Sequence, residues 1–133
     1  MQNTIDKFGP LAGRILLASI FLMSGYGKIG GFAGTAGYMA SKGLPMAEVL
    51  LAITIVIEIG AALMIIGGYK ARLGATALLL WMIPVTFIFH NFWALPADQQ
   101  QIQSIMFMKN LGLMGGMLYI MAFGSGPMSV DKK

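Results

Sequence analysis

Four apolar stretches, each about 20 residues long and joined by short connections, most narrow the folds open to this chain. About 20 consecutive apolar residues are what an α-helix needs to cross the hydrocarbon core of a bilayer. Hydrophobic residues make up 57% of the sequence and charged residues only 11%, a balance that a water-soluble domain does not require. We therefore predict an all-α fold, an integral membrane four-helix bundle lying in the lipid bilayer.

The boundaries of the predicted spans follow from the residues that interrupt the apolar runs. We predict one transmembrane domain over residues 1–133, with spans at about residues 10–28, 47–69, 72–94 and 105–123. Residues 29–45 are too rich in glycine to cross the bilayer, and a short interfacial helix is expected at about Ala33–Lys42, stopped by Gly43 and Pro45. The polar stretch from Pro96 to Ser104 predicts a water-exposed loop.

The distribution of Lys and Arg predicts how the spans are oriented. An even number of spans places both termini on the same side of the membrane. The Lys and Arg residues on that side are Lys7, Arg14, Lys70, Arg72, Lys132 and Lys133, and those on the opposite side are Lys28, Lys42 and Lys109. Cytoplasmic connections are enriched in positive charge, so both termini are expected to face the cytoplasm. These charges are scattered around apolar segments and form no basic patch, so the net charge of +4 does not indicate nucleic-acid binding.

The chain has no Cys and a single His, His90, which limits the cofactors that it can hold. Thiol exchange, Cys-ligated clusters and Cys-containing zinc sites are excluded. One His cannot supply a multi-His metal site or both ligands of a bis-His haem, so we expect no metal. Haem would need a Met as second ligand or a dimer that shares it.

Ionisable residues within membrane spans are costly, so each requires a partner or a wet cavity. Six residues are candidates for a ligand-binding site toward the external face: Lys28, Glu58, His90, Asn91, Lys109 and Asn110. Glu58 lies near mid-membrane, and Arg14 is the nearest cation by depth on the preceding span. A buried ion pair between Arg14 and Glu58 is therefore the expected arrangement.

Each of these residues also has a purely structural interpretation. Glu58 either serves packing through its ion pair or accepts protons and binds a substrate. His90 is either hydrogen-bonded at the end of its span or acts as a proton relay or quinone ligand. Lys28 and Lys109 either extend to the interface or give a pocket positive potential. The pair Gly112 and Gly116 has the spacing of a helix contact, within the chain or between protomers of a homo-oligomer.

Several segments, taken in their order and spacing, resemble the DoxX family of small bacterial inner-membrane proteins over nearly the whole chain. They are Gly13-Arg14, Ser24 to Lys28, Gly43-Leu44-Pro45, Glu58 with Gly60, Arg72 at the start of span three, His90 to Trp93, and Met108-Lys109-Asn110. The resemblance implies a four-helix bundle in the cytoplasmic membrane. It also marks as motif positions Arg14, Lys28, Glu58, Arg72, His90, Lys109 and Asn110.

What the resemblance implies about function is less specific. Some members resemble subunits of thiosulfate:quinone oxidoreductases and others are associated with redox or oxidative-stress partners. The expectation is a subunit or accessory of a membrane redox system, with a redox-enzyme partner and a site for a quinone or another lipid-soluble ligand. The alternatives are a non-catalytic scaffold or assembly protein and, third, a small-molecule transporter, for which no clear inverted repeat is visible. No cofactor-binding fingerprint assigns catalytic residues to the chain.

Overall fold

The computed structural model describes residues 2–131, and the regular secondary structure of this range is entirely helical. In chain order it comprises α1 (Gln2–Gly30), α2 (Phe32–Ser41), α3 (Ala47–Gly67), α4 (Ala71–Phe89), a 3-10 turn (Phe92–Ala94) and α5 (Ala97–Phe123). The interfacial helix predicted at Ala33–Lys42 corresponds to α2.

Four segments are long and apolar enough to cross a membrane: Asn3–Gly30, Ala47–Gly67, Ala71–Ala94 and Ala97–Phe123. Their outward surfaces carry large apolar side chains, such as Leu16 and Met23, each 74% exposed, and Val56, 70% exposed. So much outward-facing apolar surface suits lipid and not water. The predicted all-α membrane bundle is thus confirmed.

The prediction of a loop from Pro96 to Ser104 is wrong, because α5 already begins at Ala97. Pro is favoured at the start of a helix, an acid such as Asp98 in the first turn favours the positive helix end, and Gln is a good helix former. The residues of this first part are still mostly exposed. Helix α1, which contains the first predicted span, begins at Gln2.

The four long helices pack in the order α1, α3, α4, α5, each against the next. Their common core is apolar and consists of Ala18, Phe21, Ala61, Ala62, Ile65, Ala71, Ala75, Leu78, Met82, Met117 and Ile120. Two glycines allow close approach: a Cβ on Gly74 would lie 3.1 Å from the carbonyl oxygen of Ala61, and a Cβ on Gly25 would lie 2.7 Å from Cγ1 of Ile59. Gly25 therefore brings α1 against α3 beside Glu58.

The short helix α2 packs against the first half of α3 and forms a second, smaller core. Ala36 and Met39 of α2 are buried together with Leu51 of α3, and Phe89 at the end of α4 packs against them. Residues 124–131 form the C-terminal segment, which closes the end of the bundle opposite to α2. Its backbone bonds to the end of α3, where Asp131 N donates to the carbonyl oxygen of Gly68 at 2.8 Å.

Candidate functional site

Two cations on α1, the buried Arg14 and the half-buried Lys28, define two polar layers of the bundle. Arg14 and Lys28 are separated by 14 positions, which is about 21 Å along a helix at 1.5 Å per residue. The apolar core lies between them. The two layers differ in the partners that satisfy each cation.

Arg14 is 3% exposed and its guanidinium donates to backbone carbonyls. Nε donates to Ile65 O at 3.0 Å, and the remaining contacts go to the C-terminal segment, with Nη1 bonded to Ser125 O and Nη2 to Met128 O at 2.7 Å. A third carbonyl of that segment, Pro127 O, lies 3.3 Å from Nη1. Arg14 thus joins α1, the end of α3 and the C-terminal segment.

The predicted pair between Arg14 and Glu58 is wrong, because Glu58 bonds to Lys28. Nζ of Lys28 lies 2.5 Å from Oε1 of Glu58, and it also donates to Oγ of Ser24 at 2.8 Å. Side chains on a helix point back toward its N-terminus. Lys28, near the end of α1, therefore leans into the bundle toward Glu58, whereas Arg14 leans away from it.

The Lys28–Glu58 pair lines a small polar cavity of about 140 Å³. Five of the six predicted ligand-binding residues meet there: Lys28, Glu58, His90, Lys109 and Asn110. The Glu58 side chain is 1% exposed and that of Lys28 is 24% exposed. The aromatic ring of Trp81 also lines this cavity, and the Lys28 ammonium lies 5.7 Å from its centroid, in cation–π range.

Hydrogen bonds fix two further walls of this polar cavity. His90 Nδ1 lies 2.8 Å from Oε1 of Gln103, which joins the end of α4 to the first turns of α5. Deeper between the same helices, Nδ2 of Asn110 donates to Oγ1 of Thr86 at 3.0 Å, and both residues are buried. The polar side chains of the cavity are thereby held by α1, α3, α4 and α5.

A larger, mainly apolar cavity of about 530 Å³ adjoins the polar one. The two share Lys28, Trp81, Val85 and His90 in their walls. The larger cavity lies between α2, α3 and α4, and its walls include the stacked rings of Tyr38 and Phe89, whose centroids are 5.7 Å apart. An apolar compartment therefore ends at a cluster of ionisable groups.

Three predicted positions lie outside this arrangement. Asn91 lines neither cavity, and its Oδ1 is buried with no hydrogen-bond partner in the described part of the chain. Arg72 is exposed at the start of α4, at the opposite end of the bundle. Of the glycine pair, Gly116 packs against Leu17 of α1, whereas Gly112 has nothing within 4 Å of its Cβ position.

Sequence reasoning missed several residues that build the site. Trp81 lies inside an apolar run, where an aromatic residue is ordinary packing, and only the structure shows that it faces both cavities. Ser24 was detectable, because it lies one helical turn before Lys28. Gln103 lies in the polar stretch for which the sequence predicts a loop, so the sequence gives no indication that it bonds to His90.

Comparison with known proteins agrees with this architecture. The family model for DoxX matches residues 9–91. Inner membrane protein YqjF of Escherichia coli is 35% identical over 98% of this chain and 95% of its own length, and inner membrane protein YphA of the same organism is 33% identical over 92% and 88%. A Surfeit locus protein 4 homolog of Schizosaccharomyces pombe is 30% identical over 99% of this chain, which spans 39% of that protein. No solved structure gives a significant match. The chain belongs to the DoxX family and is a multi-pass inner membrane protein.

Proposed function

We propose that this protein binds a lipophilic ligand with a small polar head, of the quinone class, where its two cavities meet. The observation that carries this proposal is the shared wall of the cavities, formed by Lys28, Trp81, Val85 and His90. A quinone matches this pair of cavities, because its ring and tail require apolar surroundings and its two oxygens require polar surroundings.

The chemistry of each compartment supports this class of ligand. The volume of about 530 Å³ lies within the range of sites for small molecules. Tyr38, Phe89 and Trp81 supply aromatic surfaces on which a ring can stack. At the polar end, Lys28 and Lys109 carry ammonium groups, which are hydrogen-bond donors to the oxygens of a quinone.

The apolar cavity is bordered by side chains that are also exposed on the outer surface of the bundle. Leu50 is 36%, Ile53 50% and Tyr38 51% exposed, and all three line the cavity. This surface faces lipid in a membrane-spanning bundle. An isoprenoid tail can therefore extend between α2 and α3 into the bilayer while the ring stays inside.

In this proposal the protein serves a membrane redox system whose electron carrier belongs to a partner subunit. With one His and no Cys, the chain is poorly equipped to hold a redox metal of its own. Its contribution is to bind the quinone ring, orient it and surround it with hydrogen-bonding groups. We further propose, from the excess of Lys and Arg at the end that carries Arg14, that both termini face the cytoplasm and the polar cavity lies in the outer half of the membrane.

Tryptophan fluorescence tests the binding site directly, because the chain has two Trp and one of them, Trp81, lines both cavities. In a Trp93→Phe background, a benzoquinone with one isoprenoid unit should quench Trp81 in a saturable way. Loss of one hydrogen bond to the ligand costs roughly 1 kcal/mol, so Lys109→Ala should weaken quinone binding by roughly fivefold. His90→Ala, which removes a ring from the shared wall of the two cavities, should weaken quinone binding as well. Lys70→Ala, at the other end of the bundle, is the matched control. Equal affinity in all four proteins would exclude this site.

A scaffold role is the second candidate, and it is favoured by the Lys28–Glu58 pair, which ties α1 to α3 whether or not a ligand binds. In that case Glu58→Gln should lower the folded yield in membranes. A variant that folds with normal yield but no longer responds to the quinone would contradict the scaffold role.

A further inference from the structure

The hydrogen bond between His90 and Gln103 determines which nitrogen of the imidazole carries a proton. Nδ1 of His90 lies 2.8 Å from Oε1 of Gln103. An amide oxygen can only accept a hydrogen bond, so Nδ1 is the donor. A neutral imidazole has one N–H, which leaves Nε2 as an acceptor with a free lone pair.

This second nitrogen belongs to a residue that lines both cavities. Within residues 2–131, Gln103 and no other side chain is bonded to the imidazole ring. The backbone of His90 is engaged separately, through its N–H bond to Thr86 O. His90 can therefore offer a hydrogen-bond acceptor to a ligand at the junction of the cavities.

We propose that Gln103 is a positioning residue that fixes His90 as an acceptor, so that the site binds the hydroquinone form of its ligand more tightly than the quinone form. This inference rests on the proposed function and names the redox state that the site prefers. A hydroquinone hydroxyl can donate to Nε2, whereas a quinone carbonyl or an ether oxygen meets that lone pair without a proton to share. The carboxylate of Glu58 also lines the polar cavity, but it is already bonded to Lys28, so His90 is the acceptor that distinguishes the two forms of the ligand.

The position of Gln103 is particular among the neighbouring glutamines. Gln103 is half-buried and lines the larger cavity, while Gln100 directs its amide to the carbonyl oxygen of Leu95. Gln101 is exposed and lines neither cavity. Gln101→Leu makes the same chemical change two positions before Gln103 and is therefore the matched control for Gln103→Leu.

The test is a competition in the Trp93→Phe background, with Trp81 quenched by the one-isoprenoid benzoquinone. Recovery of fluorescence is measured under anaerobic conditions with the hydroquinone of the same ring and with its dimethyl ether. Both competitors keep the ring and tail, and only the hydroquinone has hydroxyl donors. One hydrogen bond predicts roughly fivefold tighter binding of the hydroquinone than of the ether.

The variants separate positioning from a structural role. Gln103→Leu should abolish the preference for the hydroquinone while quinone binding persists, and Gln103→Glu, which keeps an oxygen acceptor for Nδ1, should retain the preference. Gln101→Leu should behave as the parent protein. Should Gln103→Leu not fold, retention of the preference in Gln103→Glu and its loss in His90→Phe would support the inference.

Other results overturn it. Equal competition by hydroquinone and ether in the parent protein would refute the acceptor role of His90 and leave quinone binding standing. Tighter binding of the quinone than of the hydroquinone would mean the opposite tautomer. No saturable quenching by the quinone would refute the proposed function itself, and this inference with it.

Discussion

Arg14 and Lys28 lie on the same helix, α1, and their positive charges are satisfied by different kinds of partner. Around Arg14 the described residues supply backbone oxygens, from the end of α3 and from the C-terminal segment. Around Lys28 they supply side chains, Glu58 and Ser24, at the wall of a cavity. The first arrangement closes one end of the bundle, and the second leaves the other end lined by groups that a ligand can engage.

The difference in partners reflects the different hydrogen-bonding geometry of the two cations. A guanidinium has five donors in a planar fork, so it can bind several carbonyls at once and hold separate segments together. An ammonium is a compact charge on a flexible stem, and it can change partners within a cavity without unfolding its surroundings. The Arg14 end should therefore govern stability, and the Lys28 end should govern ligand binding.

The largest expected effect is at Arg14. Arg14→Met should lower the free energy of unfolding by about 3 kcal/mol or more, because hydrogen bonds from a charged donor contribute about 1.5 to 3 kcal/mol each. Thermal unfolding in mild detergent measures the loss. Arg72→Met, which removes an exposed Arg at the same end, should change stability by less than about 0.5 kcal/mol. Similar losses in both variants would show that the carbonyl contacts contribute little.

The Lys28 end should show coupling in a double-mutant cycle. Lys28→Met should cost about 3 kcal/mol, since it leaves the buried Glu58 carboxylate without its partner. Glu58→Gln should cost less, because Lys28 is 24% exposed and keeps its bond to Ser24, and the double variant should cost less than the sum of the two. A parallel cycle of Arg14→Met with Glu58→Gln should be additive. Arg14 reaches α3 at Ile65, two helical turns or about 10 Å from Glu58. Coupling in the second cycle and not in the first would reverse the assignment of partners.

Glycines beside the two cations provide a smaller contrast. Gly25→Ala would place its Cβ 2.7 Å from Cγ1 of Ile59 and force α1 from α3 next to Glu58. Overpacking of this kind costs roughly 1 to 3 kcal/mol, and the displaced Lys28 should also weaken quinone binding. Gly13→Ala, beside Arg14, meets nothing within 4 Å and should be tolerated. Stability and Trp81 quenching, measured on both variants, would distinguish these outcomes.

The smallest effect is expected at Gly112. Because nothing lies within 4 Å of its Cβ position, Gly112→Ala should change the free energy of unfolding by less than about 0.5 kcal/mol. Chemical denaturation of the protein in detergent is the measurement. A larger loss, accompanied by a shift in native mass from a dimer to a monomer, would instead place Gly112 in a contact between protomers.

The architecture was predictable because hydrophobic length alone decides which segments can cross a bilayer. The residues of the polar cavity were also predictable, because ionisable residues are rare within membrane spans. Five of the residues predicted from the sequence line this one cavity. The partner of Glu58 could not be predicted from the depth of each cation in the membrane. The choice between Arg14 and Lys28 as partner of Glu58 depends on the direction of each side chain and on the close approach at Gly25. Trp81 gave no sequence signal that separates a cavity wall from packing.

Leu50, Ile53 and Tyr38 form an outer border of the apolar cavity that faces lipid. The affinity of the protein for a ligand should therefore be expressed relative to the ligand's concentration in the membrane and not in water. A ligand that enters from the side comes from the hydrocarbon phase, so its partitioning between water and membrane precedes binding. The quantity that governs occupancy is then its mole fraction among the surrounding lipid or detergent molecules. Diluting a sample with extra micelles should empty the site although the total ligand concentration stays constant.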